Sequence, residues 1–273
     1  MAPTTHIYRR SELQDADCLF RYNAIWNEGV RDESDYSLRG QAFHHMQLRY
    51  TERLVAQDLD ADAEEARGAF EQGIAEHQTP QRLIPELRML FLDIHAPSFR
   101  LDLDRFMTAE ERTEGEGQAF TPDLVYATQT ELEIVDFKTF WRTMTEEEIR
   151  QDFQCRFYVY QAMRRWPNFA AYKFTVRFVR YNLNVSVTFA PSEVDSIEAE
   201  VAASIARIEY ATTHHSWPAL AAPACRYCRL RCPVVDQPML LGSRIAPEQA
   251  PDVALWLRPS KQKVSDVREP LKG

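Results

Sequence analysis

Within the segment TPDLVYATQTELEIVDFKT, residues 121–139, two carboxylates and an amine stand where two neighbouring strands would bring them together. Side chains two residues apart on a strand share a face, so Asp136 and Lys138 project together, and a hairpin partner sets Asp123 beside them. Carboxylate oxygens are hard ligands for Mg²⁺ or Mn²⁺ that leave water positions open, and such an ion stabilises charge on a phosphodiester as it is attacked. An adjacent lysine can orient the attacking water or stabilise the developing charge. The plain reading of an isolated D-x-K is a surface strand with a weak cross-pair. A second chemical cluster lies later: Cys225, Cys228 and Cys232 in ACRYCRLRC have the density of a soft-metal site that lacks a fourth ligand.

The D-x-K is not isolated. Pro122, Asp123, Asp136 and Lys138 resemble the signature of the PD-(D/E)XK nucleases, and three further motifs follow the order of that superfamily's RecB-like branch. GQAFH is similar to its G-x-x-x-H motif and makes His44 a ligand of the catalytic metal. QCRFY is similar to its Q-x-x-x-Y motif and maps Gln154 and Tyr158 one helical turn apart, where they would position Lys138 or the substrate strand. In the branch's iron–sulfur subset, AddB-type subunits and exonucleases associated with CRISPR adaptation, one early cysteine joins three late ones; Cys18 matches the early one. The resemblance thus implies a 4Fe-4S cluster on Cys18, Cys225, Cys228 and Cys232, although four thiolates suit zinc equally well. It also implies a metal site of His44, Asp123 and Asp136. Two departures stand out: the last cysteine gap is three residues where five is usual, and the additional glutamate often found before the aspartate has two candidates, Glu86 and Glu116.

These residues need a scaffold. Residues 37–57 have helix-forming composition with apolar positions at Ala42, Phe43, Met46, Leu48 and Leu54, and 61–77 reads as a second, polar helix. The β-branched and aromatic content of 85–94, 120–127 and 132–140 predicts three strands, the last two joined by a turn at TQT. The charged stretch 108–118, just before the second of these strands, reads as a mobile loop. Residues 144–166 form the clearest helix: Thr145 caps it, Glu146 to Glu148 suit its positive end, Arg164 and Arg165 its negative end, and Pro167 stops it. Strands at 172–181 and 185–190 and a helix at 191–212 follow. The class is α/β: a PD-(D/E)XK core with a mixed central sheet flanked by helices, and terminal segments joined by a four-cysteine cluster. The expected division is a helical region 1–58, a nuclease core 59–190, a helix and cysteine region 191–242 and a tail 243–273.

Composition narrows the function. With 273 residues and 45% apolar content the chain can bury a sizeable core. A formal charge of −9 argues against a surface coated for bulk nucleic-acid binding, yet permits a local basic groove, for which Arg142, Arg150, Arg156, Lys173, Arg177 and Arg180 are the candidates. Phe140, Trp141 and Tyr158 offer stacking faces for unpaired bases. The absence of a signal-like or membrane-length apolar run and an odd count of five cysteines point to the cytoplasm, with Cys155 a buried free thiol. With these, the resemblance implies a DNA exonuclease acting on single-stranded or frayed ends, with a helicase or integrase as a possible partner. The competing readings are a non-catalytic DNA-binding or assembly subunit and a zinc-stapled endonuclease.

Overall fold

The computed structural model describes residues 6–30, 35–115, 117–220 and 230. Two compact units divide the chain: the larger is built on residues 33–198, the smaller on residues 8–32 with the chain from 199 onward. No helix among the described residues is long and apolar enough to cross a membrane.

In the larger unit a five-stranded sheet carries β1 (Phe106–Thr108), β4 (Leu124–Ala127), β5 (Glu131–Lys138), β6 (Ala171–Phe178) and β7 (Leu183–Phe189), in the order β1-β4-β5-β6-β7. All neighbours are antiparallel except β5 and β6. That parallel pair requires a crossover, which two helices supply: α4 (Glu146–Gln151) and α5 (Phe153–Arg165). The sheet is therefore mixed and flanked by helices, as expected.

One face of the sheet packs on α1 (Asp35–Gln57), α2 (Ala63–Glu76) and α3 (Ile84–Arg88), the last continued by a wider π-helical turn, Met89–His95. Phe43, Met46 and Tyr50 of α1, Phe70 of α2, Leu87 and Phe91, and Val135 and Phe137 of β5 share this core. Gly73 permits α1 and α2 to approach closely, because a Cβ there would lie 2.5 Å from Met46 Cγ. The helix that carries His44 thus lies in the same compact unit as the sheet.

Three local expectations change. Residues 85–94 are helical, not a strand: Leu83, Leu87, Leu90 and Phe91 are buried at helical spacing, and Pro85 starts the first turn. The helix expected over 144–166 is two helices. Thr145 caps the first in a capping box with Glu148, while extended Asp152 interrupts it and accepts the Gln154 and Cys155 N–H groups (2.8 and 3.3 Å) to start the second. The charged stretch 108–118 contains a hairpin, β2 (Thr113–Gly115) with β3 (Gln118–Phe120), whose connection includes Gly117 at φ +74°.

The smaller unit holds short helical turns at Arg10–Asp15 and Leu19–Tyr22 and most of α6 (Val194–His214). Cys18 is buried there. The Phe20 N–H donates to the Pro218 carbonyl (3.1 Å) and Tyr22 stacks on Trp217. Cys225, Cys228 and Cys232 lie outside the described residues.

Candidate active site

In the antiparallel register Leu124 faces Val135, which puts Asp123 opposite Asp136. The Phe137 N–H donates to Asp123 Oδ2 at 2.6 Å, so the carboxylate is fixed by its neighbour's backbone. The other oxygen, Oδ1, lies 3.0 Å from His44 Nδ1, and α1 carries that imidazole to the strand end. Asp136 is almost wholly buried, and Lys138 Nζ stands 2.8 Å from its Oδ2. The Gln154 side chain closes a ring: its Nε2 donates to Asp136 Oδ1 (2.6 Å) and its Oε1 accepts from Lys138 Nζ (2.8 Å). Tyr158, one turn along α5, instead donates to the Thr121 carbonyl (3.0 Å), bracing the chain that leads to Asp123. The two Q-x-x-x-Y residues therefore hold the two acids from one helix.

A residue missed in the sequence joins them. Glu110, in the turn after β1, has Oε1 3.9 Å from His44 Nδ1, and His44, Glu110 and Asp123 present ligand atoms all within 4.8 Å of one another. Its backbone sits in the left-handed region at φ +48°, unusual for a non-glycine residue, and its N–H donates to the carbonyls of Pro122 and Asp123. The turn is pinned to the segment it must face. The available signal was a glutamate within a glutamate-rich run, which could not be told from its neighbours. Of the sequence candidates, Glu86 bonds Arg39 and Arg180 instead, and Glu116 lies outside the described residues.

Electrostatics follow from burial and crowding. Burial pushes the Glu110 carboxyl up, Asp123 adds to this and His44 opposes it, leaving it at about 8. Burial alone would lower His44, but Asp123, with Asp136 and Glu110, outweighs it and raises the imidazole to about 9. Burial likewise raises Asp136 against the pull of Lys138, whereas at Asp123 the pairing with His44 overcomes burial and lowers it.

These donors suit a divalent cation. One imidazole and two carboxylates converge, and the buried Asp136 carboxylate, paired with Lys138, lies beside them. His44, Glu110 and Asp123 would hold the ion, with Asp136 beside them.

Four of the six residues expected to form a basic groove are committed to other partners or to the other face of the sheet. Lys173 pairs with Glu133, and Lys173 and Arg177 occupy the sheet face opposite Asp136 and Lys138, because the parallel register sets Lys173 beside Glu133 and Arg177 beside Phe137. Arg142 pairs with Glu148, and Arg150 with Glu193. Cys155 is a buried free thiol whose pKa burial drives above the usual thiol range.

No curated protein matches the chain. The sequence profile of the PD-(D/E)XK nuclease superfamily matches residues 14–233, a span that contains every residue of the site just described. The chain therefore belongs to the PD-(D/E)XK nuclease superfamily, whose members are metal-dependent nucleases.

Proposed function

We propose that the chain is a DNA exonuclease that hydrolyses phosphodiester bonds at single-stranded or frayed ends with Mg²⁺ or Mn²⁺. The observation that carries this reading is the closed ring of Lys138, Asp136 and Gln154 beside the convergent His44, Glu110 and Asp123. A scaffold protein has no need to bury two carboxylates, Asp123 and Asp136, against an imidazole and a lysine. When bound, the cation would supply Lewis acidity toward a phosphoryl oxygen and lower the pKa of water. Gln154 holds Lys138 Nζ in one position, from which its ammonium stabilises the charge that builds as water oxygen adds to phosphorus and the ester P–O bond breaks. Tyr158 keeps Asp123 in register with β5 through Thr121. The choice of exonuclease over endonuclease rests on the resemblance to the RecB-like branch.

The test is digestion of linear and circular, single- and double-stranded DNA with Mg²⁺, Mn²⁺ or EDTA. Asp136→Asn and Lys138→Ala should each reduce cleavage by about a thousandfold or more while thermal unfolding stays cooperative; retained activity in either refutes the assignment. Cutting of closed circles would replace exonuclease by endonuclease.

We further propose that Cys18 joins Cys225, Cys228 and Cys232 around a 4Fe-4S cluster, with zinc the alternative occupant. Support comes from the bond between Phe20 and Pro218 and the stacking of Tyr22 on Trp217, which hold the Cys18 segment against chain only seven residues before Cys225. Metal and sulfide analysis of anaerobically purified protein decides between the two.

A further inference from the structure

Building on the nuclease reading, we propose that Tyr36 and Trp141, backed by Arg39 and Arg180, form a stacking subsite that grips the bases of an unpaired strand next to the scissile phosphate. The chain leaves β5 at Lys138 and runs through Thr139 to Phe140 and Trp141. The Phe140 ring centre is 5.6 Å from Lys138 Nζ, and Tyr36 stacks on Phe140 at 5.4 Å with ring planes 25° apart. Two large rings here face water: Trp141 is 68% exposed and Tyr36 47%. A single exposed ring is ordinary on a protein surface; what distinguishes these two is their place next to Lys138 and the arginine behind each.

Both rings are held from behind. The Arg180 guanidinium carbon lies 3.5 Å from the Trp141 ring centre, and that arginine is itself buried, donating to the Thr139 carbonyl (3.2 Å) and to Glu86. Arg39, also buried, sits 5.3 Å from the Tyr36 ring centre and donates to the other oxygen of Glu86 (3.0 Å). The Tyr181 hydroxyl donates to the Trp141 carbonyl. Glu86, one of two glutamates the sequence offered for the metal, thus clamps two guanidiniums, one behind each ring. One carboxylate between two guanidiniums leaves a net positive charge behind the aromatic surface.

This chemistry selects the occupant. Tyr, Trp and Arg also populate protein interfaces, but here they sit at the mouth of a phosphodiester site with positive charge behind them, which suits a polyanion that presents flat faces. In duplex DNA those faces are already stacked on one another. Unpaired bases gain a new stacking partner, so the subsite discriminates for single strands.

The test measures binding of fluorescein-labelled oligothymidylate in EDTA, where no turnover intervenes. Trp141→Ala and Tyr36→Ala should each weaken binding about tenfold, with little change for a blunt duplex, and the wild type should bind an abasic oligomer as weakly as the variants bind oligothymidylate. Tyr210→Ala, which removes an exposed ring of the smaller unit, should bind as the wild type does. Unchanged affinity in Trp141→Ala, equal losses for duplex and single strand, wild-type affinity for the abasic oligomer, or the same loss in Tyr210→Ala would each overturn the subsite. Unchanged affinity would leave the rings to a protein partner. Cleavage by Asp136→Asn with Mg²⁺, measured separately, judges the nuclease reading whatever the binding arm returns.

Discussion

Protons and metal must compete at His44 and Glu110, and the competition has a definite sign. Without metal the imidazole holds its proton to about pH 9 and the Glu110 carboxyl to about pH 8. A cation binds only the deprotonated groups, so at pH 7 each bound ion displaces close to two protons. Apparent affinity therefore rises about 500-fold between pH 7 and pH 9. The His44 side chain keeps 30% of its surface in solvent, so screening trims the shift; if both shifts are halved the rise is still about sevenfold. Titration calorimetry with Mn²⁺ in buffers of different ionisation enthalpy measures both the affinity and the protons released. Glu110→Gln should lower affinity by about ten- to a hundredfold and remove one of the displaced protons. Affinity that is flat or falls with pH, or binding at pH 7 without proton release, would refute the assignment of His44 and Glu110 as ligands. The same raised values make the metal-free fold hold more protons than the unfolded chain. Its stability should therefore fall as pH rises, through 8 for Glu110 and through 9 for His44, and saturating metal should reverse the trend.

Other perturbations probe the scaffold. Asp152→Ala removes the cap of α5 and should cost about 1 kcal/mol in chemical denaturation, with a further loss of cleavage because α5 aims Gln154. Gly73→Ala drives a Cβ into Met46, whose Cα lies 3.3 Å away, and should cost about 1–3 kcal/mol in the same assay; Met46→Ala in that background should recover part of it. Phe137→Ala empties a fully buried position between Asp136 and Lys138 and should cost about 3–5 kcal/mol by calorimetry, whereas Phe153→Ala, only partly buried, should cost less.

Much of the site was legible because its elements are local. Two-residue alternation fixes Asp136 and Lys138 on one face, and a short turn at TQT leaves Asp123 as the residue opposite. Gln154 and Tyr158 share a helix face for the same kind of reason. The helix–strand error at 85–94 arose because a short apolar run reads alike in both states until its packing partner is known. The partner is α1, whose Phe43 and Tyr50 meet Phe91 edge to face.

Sequence by itself determined the pair of strands that carries Asp123, Asp136 and Lys138, the helix face shared by Gln154 and Tyr158, and the superfamily, since each depends on spacing within a single element or on motifs in order. Only the tertiary structure decided where charge goes. It brought Glu110 to His44 and Asp123 through a left-handed turn, sent Glu86 to clamp two arginines, and put Lys173 and Arg177 on the far face of the sheet. The reason is physical: a charged side chain is committed by its long-range partner and by the dielectric around it, and neither is written in the spacing of its neighbours.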